Sequence, residues 1–259
     1  RRRDDVLITS KVLPQNCAPS LLRSACEESL RRLGTDRIDL YQVHWPPRDV
    51  PFCDVYGELA RLRSEGKIRE NGVSNFGAID LAEWSRVGHC VSDQLGYNLL
   101  FRVPEREILP ACAAGNIGVL VYMPLLQGIL SGRWKSVEEI PPLRRRTRHF
   151  SCEREGTRHG EPGCEEILLA TLRELDDIAG GLGQSPASVS LAWLLAQPAV
   201  SSVIVGARDA AQLRRNLTAV DLVLQPDTLR RLDAATAGLK LHFGTNADMW
   251  QGVHAGRIR

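Results

Sequence analysis

Residues Asp36–Pro46 have the sequence DRIDLYQVHWP, and residues Gly66–Phe76 have the sequence GKIRENGVSNF. Each stretch contains a short, largely apolar run, Ile38–His44 and Ile68–Ser74, and such runs bounded by turn-forming residues predict strands. Between them, the spacing of apolar residues in Val55–Ser64 predicts a helix that a glycine ends. Together, these stretches predict a β–α–β unit with parallel strands.

The same alternation of strand and helix continues on both sides of this unit. The further predicted strands are Val6–Ser10, Val91–Leu95, Gly118–Tyr122 and Ser202–Val205, and the further predicted helices are Ser20–Leu33, Asp80–Arg86, Glu105–Ala114, Glu165–Ala179, Pro186–Ala196 and Asp209–Ala219. No G-x-G-x-x-G sequence follows any of these strands, so a barrel is favoured over an open, doubly wound sheet.

These elements predict an α/β fold of the (β/α)8 TIM-barrel type. Because only six strands are predicted, we expect the first two β/α units to be missing from this chain and to precede Arg1. We expect one barrel domain over residues 1–259, with a long loop at about 124–163 and a C-terminal helix and tail at about 226–259.

The composition limits the possible partners. Apolar residues make up 43% of the chain and charged residues 25%, and the formal net charge of +2 is too small for bulk attraction to nucleic acid or an acidic membrane. The longest apolar stretch, Ile117–Leu126, is far shorter than the ~20 residues of a membrane-spanning helix. Seven scattered cysteines without a C-x-x-C pair favour a reducing compartment. We therefore expect a soluble, cytoplasmic protein that binds neither nucleic acid nor membranes.

Polar and aromatic side chains stand at or just after the ends of five predicted strands. They are Lys11, His44, Ser74 with Asn75, Gln94 and Tyr122. Each alone is more often structural, since a solvated lysine or a core histidine is the commoner case. Because the carboxyl ends of the strands form the active site of a parallel barrel, the set predicts one ligand-binding rim.

A phosphate site is predicted after the last strand, where Gly206-Ala207-Arg208-Asp209 leads into a helix. Free backbone N–H groups at a helix start attract a phosphate, a glycine allows close approach, and an arginine can bind the anion. Gln212 and Asn216 share one helix face, and their amides suit a purine edge or a ribose. The alternative is a surface helix capped by its aspartate.

The long loop contains two further candidates. The basic run Arg144–Arg148 is either solvated or a lid that closes on a phosphorylated cofactor. His149, Cys152, His159 and Cys164 follow it, but their spacings match no common zinc pattern. No metal site is therefore predicted.

Six motifs, in order along the chain, resemble those of the aldo-keto reductases. They are ITSK at 8–11, DRIDLYQVHWP at 36–46, GKIRENGVSNF at 66–76, QLGYN at 94–98, YMPLLQG at 122–128 and GARDAAQLRRN at 206–216. The resemblance runs from Asp5 to about Ala237, and the last motif and the arginine-rich loop are more similar to the bacterial and potassium-channel β-subunit branches than to the aldose reductase branch. The resemblance implies a TIM barrel that binds NADP(H).

The resemblance also implies roles near the reacting atoms. Lys11 and His44 match two members of a catalytic tetrad, and Trp45 is expected to line the substrate pocket or to pack at its mouth. The residues matched to the nicotinamide are Ser74, Asn75 and Gln94, which hold its carboxamide, and Tyr122, which stacks on its ring.

The rest of the cofactor is matched by later segments. Those matched to the pyrophosphate are Pro124, Leu125, Gln127 and Gly128, with Arg133 and Arg145 as further phosphate contacts. Those matched to the adenosine 2′-phosphate and the adenine are Gly206, Ala207, Arg208, Gln212 and Asn216.

The tyrosine and aspartate of the tetrad have no match in this chain. Tyr41 lies inside a predicted strand, and Tyr56 and Tyr97 belong to other segments. The resemblance implies NADPH-dependent reduction of an aldehyde or ketone to an alcohol, with turnover impaired in a chain that lacks these two groups. The alternative is an NADP(H)-binding regulatory or interaction protein without significant turnover, similar to the channel β-subunits.

Overall fold

The computed structural model describes residues 2–259 of the chain. Six strands form one sheet in the order β1 to β6, and the first four are paired in parallel register. The strands are β1 Thr9–Val12, β2 Ile38–Val43, β3 Ile68–Ser74, β4 Ser92–Gly96, β5 Gly118–Tyr122 and β6 Val200–Val203. The α/β fold expected from the sequence is confirmed. The described residues give no support to two further β/α units, which stay a prediction.

Helices alternate with the strands up to β5 and dominate the chain after it. They are α1 Pro19–Leu33, α2 Phe52–Ser64, α3 Ala78–Ser85, α4 Ile108–Ala114, α5 Glu165–Gly181, α6 Pro186–Leu195, α7 Ala210–Leu217, α8 Pro226–Ala235 and α9 Ala237–Phe243. The side chains of Ser185 and Asp209 cap α6 and α7 by accepting backbone N–H groups at 3.1 and 2.7 Å. Within residues 2–259, no helix combines the length and the apolar character needed to cross a bilayer.

The first strand is Thr9–Val12 instead of the predicted Val6–Ser10. Its ladder with β2 starts only where its first residue pairs with Leu40. Leu7 before it is 80% exposed, so the apolar residues that suggested an earlier strand do not enter the core. Lys11 therefore lies inside β1 and not after its end.

The last strand is Val200–Val203 instead of Ser202–Val205. The next residue, Ile204, still donates its backbone N–H to the Val121 oxygen at 2.8 Å. Strand geometry then ends before Gly206, because the chain turns there toward α7.

The described residues form two compact units. Unit 1 comprises the chain up to Leu95 together with Glu107–Val119 and Arg257–Arg259, and unit 2 comprises Gly96–Arg106 and Leu120–Gly256. The largest side chains that are fully buried in unit 1 are Leu22, Ile38, Tyr41, Leu59, Leu62, Phe76 and Trp84, and those in unit 2 are Tyr97, Phe101, Phe150, Trp193 and Phe243. Each unit therefore has a core of its own. The single barrel domain over residues 1–259 stays a prediction.

The long loop of unit 2, between β5 and α5, is ordered by buried polar residues. The His149 imidazole is fully buried, with Nε2 at 2.9 Å from the Leu100 backbone oxygen and Nδ1 at 3.0 Å from Thr147 Oγ1. Beside it, Arg148 donates to the Glu161 carboxylate at 2.8 Å. Burial disfavours the charged imidazole and lowers the pKa of His149 to about 3.

We expect the protein to lose stability between pH 7 and pH 5 because of His149. The pKa in the folded state lies below the 6.5 of an unperturbed histidine, so the unfolded state takes up the proton first as the pH falls through that value. This group alone should lower the free energy of unfolding by about 2 kcal/mol at pH 5. Urea denaturation at both pH values measures the change.

A matched pair of variants isolates this contribution. His149→Gln should remove this part of the pH dependence, whereas substitution of the exposed histidine in His254→Gln should leave it unchanged. The same pH dependence in both variants would contradict the assignment.

Candidate functional site

Buried polar side chains at the carboxyl ends of β3 and β4 form a hydrogen-bonded group in unit 1. Ser74 Oγ donates to the Gln94 backbone oxygen at 2.9 Å, and Asn75 Nδ2 lies 3.1 Å from Ser74 Oγ. Asn75 Nδ2 also donates to the backbone oxygen of His44 at 3.0 Å. Gln94 Nε2 donates to Gln42 Oε1 at 3.3 Å. The structure thus brings Ser74, Asn75 and Gln94 together with the backbone of His44, and adds Gln42.

The backbone explains why these residues meet. Ser74 pairs with Gln94 across β3 and β4, and Asn75 donates its backbone N–H to the Gln94 oxygen at 3.0 Å. Asn75 has a φ of 61°, a left-handed conformation that asparagine tolerates better than most residues. This turn lets the chain leave β3 while the Asn75 side chain stays with the group.

Gln42 is a member of this group that the sequence analysis missed. It lies inside β2, is fully buried, and donates from Nε2 to the Val73 backbone oxygen at 3.1 Å. The available signal for this role was a polar residue between Tyr41 and Val43, which are also buried. An amide in a core needs a polar partner, so such a residue points to a hydrogen-bonded neighbour.

Lys11 lies in β1, and His44 directly follows the neighbouring strand β2. The ladder between these strands continues through the bond from His44 N to the Val12 oxygen at 2.9 Å. Burial lowers the pKa of Lys11 by disfavouring its charged form. Burial also lowers the pKa of His44, and the charges of Lys11 and Arg257 lower it further. The imidazole is therefore neutral at neutral pH and offers one donor and one acceptor nitrogen.

Trp45 follows His44 directly and is partly buried. The central guanidinium carbon of Arg257 lies 3.6 Å from the centroid of its ring. This distance is well within the range of a cation–π interaction. The residue predicted for the pocket mouth therefore has a cation over its indole face.

In unit 2, the loop that follows Tyr122 is held in an uncommon conformation. Met123, Leu126 and Gln127 have φ values of 52°, 43° and 57°. Positive φ in such residues costs about 1–3 kcal/mol each and is often found at ligand-binding loops. Two bonds hold the loop, from Asn98 Nδ2 to the Met123 oxygen at 3.0 Å and from Arg144 Nη1 to the Gln127 oxygen at 3.1 Å. The predicted pyrophosphate residues Pro124, Leu125, Gln127 and Gly128 all belong to this loop.

Three arginines and a tryptophan of unit 2 accompany this loop. The guanidinium carbons of Arg133 and Arg144 lie 5.8 and 5.3 Å from the Trp134 ring centroid. Arg145 Nε and Gln127 Oε1 are both buried without a hydrogen-bond partner among the described residues. Because such atoms are costly to leave unsatisfied, one donor and one acceptor here suit a polar ligand. Arg144, the first residue of the basic run considered as a lid in the sequence analysis, is the arginine bonded to the loop itself.

The turn between β6 and α7 brings together the five residues predicted for the adenosine end. Gln212 Oε1 accepts the backbone N–H of Arg208 at 2.9 Å, and Asn216 Nδ2 donates to the Gly206 oxygen at 3.3 Å. Ala207 and the Arg208 side chain are exposed. The two amides therefore brace the turn, and the phosphate site remains a prediction.

The histidines considered as zinc ligands are bonded to the protein. Both ring nitrogens of His149 have partners, and His159 Nε2 lies 3.2 Å from the Thr147 backbone oxygen. Cys152 is exposed and Cys164 is buried. Between residues 2 and 259, no group of three or more His, Cys, Asp or Glu side chains is arranged to hold a metal ion.

Comparison with known proteins gives one family and several similar oxidoreductases. The model of the Aldo/keto reductase family matches residues 1–237. The uncharacterized oxidoreductase YrpG of Bacillus subtilis is 31% identical over 251 residues, which cover 90% of this chain and 72% of that protein. The NADH-specific methylglyoxal reductase of Escherichia coli is 31% identical over 220 residues, which cover 84% of this chain and 64% of that protein.

A solved structure of an aldo-keto reductase is also similar to this chain. The crystal structure of an aldo-keto reductase from Klebsiella pneumoniae in complex with NADPH superposes with a TM-score of 0.70 at 30% identity, covering 90% of this chain and 70% of that one. This chain thus spans between 64% and 72% of the length of the three proteins.

We predict that Gln42 stabilises the polar group of unit 1. Gln42→Leu keeps the approximate volume but leaves the amide of Gln94 and the oxygen of Val73 without their partner, which should lower the free energy of unfolding by about 1–3 kcal/mol. Urea denaturation measures the loss. The same substitution at the exposed Gln184 is the control, and an equal effect of both would contradict the role given to Gln42.

Proposed function

Because this chain belongs to the aldo/keto reductase family, we propose that it reduces an aldehyde or ketone to an alcohol with NADPH. The family resemblance found in the six motifs is confirmed, and the coarser description, an oxidoreductase, follows from it. One observation carries the finer proposal. It is the buried, hydrogen-bonded group of Ser74, Asn75 and Gln94, which Asn75 Nδ2 joins to the His44 backbone oxygen at 3.0 Å.

The residues of unit 1 have distinct proposed roles. His44 orients the substrate by donating a hydrogen bond to its carbonyl oxygen, which a neutral imidazole can do from one nitrogen. The ammonium of Lys11 stabilises the negative charge that develops on that oxygen. Ser74, Asn75 and Gln94 present hydroxyl and amide groups to the carboxamide of the nicotinamide, and Trp45 contacts the substrate. When bound, NADPH would supply a hydride to the carbonyl carbon, and the resulting alkoxide would take its proton from water.

The residues of unit 2 are proposed to hold the rest of the cofactor. Tyr122 offers an aromatic ring to the nicotinamide, and the loop that follows it offers backbone N–H groups to the pyrophosphate. The unpartnered atoms Gln127 Oε1 and Arg145 Nε support a polar ligand at this loop. Arg133 adds positive charge there.

The choice of NADPH over NADH rests on the turn that contains Arg208. This exposed guanidinium suits the 2′-phosphate, which only NADPH carries. A neighbour of known structure was crystallised with NADPH, whereas a relative is named as NADH-specific, so the family alone does not decide the choice.

A second candidate is an NADP(H)-binding regulatory protein without significant turnover. It is favoured by the tyrosines of unit 1, because both are held in packing contacts of their own. Tyr41 is fully buried inside β2, and Tyr56 packs edge-on against Trp84 with ring centroids 6.0 Å apart. Among the described residues, the Tyr41 hydroxyl is buried without a hydrogen-bond partner.

Turnover and binding separate the two candidates. The purified chain is mixed with NADPH and 4-nitrobenzaldehyde, and the loss of NADPH absorbance is followed. Saturable oxidation of NADPH that requires the aldehyde supports the reductase. Tight binding of NADPH without oxidation supports the regulatory protein, and the absence of binding contradicts both.

We predict that Arg208→Ala weakens the binding of NADPH more than that of NADH. The variant removes a charge-assisted contact to the 2′-phosphate, so NADPH should lose roughly 1–3 kcal/mol of binding free energy while NADH loses little. Calorimetric titration with both cofactors measures the difference, with Arg214→Ala, at an exposed arginine of α7, as the control. Equal losses for both cofactors would count against this assignment.

A further inference from the structure

The segment Gly96–Asn98 of unit 2 contacts the two residues at which β5 ends, Tyr122 and Met123. A Cβ atom on Gly96 would lie 3.1 Å from both Cζ and Oη of Tyr122 and 3.2 Å from Cε of Met249. The best separation of two carbon atoms is about 3.5–4.0 Å, so the phenol end of Tyr122 lies directly against the Gly96 backbone. The lack of a side chain at residue 96 therefore gives the ring its place.

Asn98 fixes the backbone next to that ring. Its side chain is fully buried, and Nδ2 donates to the Met123 oxygen at 3.0 Å while Oδ1 accepts the Leu100 N–H at 2.9 Å. The Asn98 backbone also exchanges two hydrogen bonds with Phe101, at 3.0 and 3.3 Å. The amide is therefore held in one orientation, with its donor on Met123.

Met123 depends on this bond because its backbone conformation is unfavourable. Its φ of 52° lies in the left-handed region, which costs free energy for a residue other than glycine. The Met123 oxygen also accepts the Leu126 N–H at 2.9 Å. Two donors on one oxygen thus stabilise the turn that leads from the Tyr122 ring into the loop of residues 122–128.

The segment that carries Asn98 is itself fixed by buried polar contacts. Tyr97 Oη donates to Glu105 Oε1 at 2.8 Å, and the same oxygen accepts Arg102 Nε at 2.6 Å. His149 Nε2 lies 2.9 Å from the Leu100 backbone oxygen. These partners lie outside the loop of residues 122–128, so the segment is a support on which that loop rests.

We propose that Asn98 is a positioning residue for the cofactor, because the turn it fixes at Met123 orients the Tyr122 ring and the loop of residues 122–128 together. Gly96 sets how closely that ring approaches β4. The inference rests on the proposed function for the identity of the cofactor, NADPH. The adenosine end is assigned to the turn before α7, which Asn98 does not contact. Loss of the Asn98 donor should therefore weaken the hold on the nicotinamide and pyrophosphate and spare the adenosine end.

Two ligands separate these ends of the cofactor. Adenosine 2′,5′-bisphosphate carries the adenine and the 2′-phosphate of NADPH but no nicotinamide. Asn98→Asp is nearly isosteric and still accepts the Leu100 N–H, but at pH 8 an ionised carboxylate cannot donate to Met123. Calorimetric titration of the full chain should show NADPH binding at least about tenfold more weakly, and the bisphosphate within about twofold of wild type.

A matched substitution serves as the control. Asn116 is exposed and has a φ of 52°, and Asn116→Asp should change the affinity for neither ligand. An unchanged affinity of Asn98→Asp for NADPH, or equal losses for both ligands, would overturn the positioning role. A wild-type chain that binds neither ligand contradicts the proposed function instead, so the two failures are distinguishable.

Hydrogen exchange without any ligand tests the turn itself. Asn98→Asp should speed exchange at the Leu126 amide, whose acceptor is the Met123 oxygen, and leave the Leu168 amide of α5 unchanged. Unchanged exchange at Leu126 would overturn the role of Asn98 in the turn, whether or not NADPH binds.

A second variant keeps the inference testable should Asn98→Asp fail to fold. Gly96→Ala pushes the Tyr122 ring away by a few tenths of an ångström, and it should weaken NADPH more than the bisphosphate. Gly180→Ala, where a Cβ meets nothing within 4 Å, is its control. Equal effects of Gly96→Ala on both ligands would overturn the positioning of the ring by this segment.

Discussion

Parallel pairing of β2 with β1 and β3 is the constraint on which the chemistry of unit 1 depends. The register joins Val43 to Val12 on one side and to Val73 on the other. His44 and Ser74 therefore leave the sheet at the same edge, as parallel strands require. A slip of one residue would turn every side chain of a strand to the opposite face, so the buried faces of these strands fix the register and, with it, the polar group.

The two units hold their polar residues in place in different ways. Unit 1 uses buried hydrogen bonds among Ser74, Asn75, Gln94 and Gln42, which lock each amide into one orientation. Unit 2 uses a backbone with several positive φ values after β5, together with arginines on surrounding loops. A fixed polar group suits recognition of one small planar moiety. A loop rich in N–H groups and flanked by arginines suits a phosphate, whose charge is spread over several oxygens.

The sequence predicted the strands best where pattern and burial agree. The bounds of β3 and β5 match the prediction, and β2 differs only in that His44 follows it. The predicted first strand began too early, because the apolar residues of VLITS suggest a strand from Val6. Its pairing with β2 begins only at Thr9. The alternation of apolar residues indicates that a segment tends to form a strand. Pairing with the neighbouring strand determines where that strand begins and ends.

The site was predictable only in part for a similar reason. The predicted strand ends pointed to His44, Ser74 and Asn75, because the end of a strand can be recognised from the residues next to it in the sequence. Gln42 was missed since a residue inside a strand is taken as core, and its role appears only once the neighbouring strand is in place. The contacts of the C-terminal residues were missed because a tail without periodicity gives no signal, and Arg259 bonds to Asp80, which lies 179 positions earlier in the chain.

The most direct test of the account is hydrogen–deuterium exchange of the full chain with and without NADPH. The account predicts that the cofactor slows exchange in three regions at once, residues 72–76 and 92–96 at the ends of β3 and β4, residues 122–128 after β5, and residues 206–216 at the start of α7. Exchange that NADPH leaves unchanged in all three regions, or that it slows only elsewhere in the chain, would contradict the account.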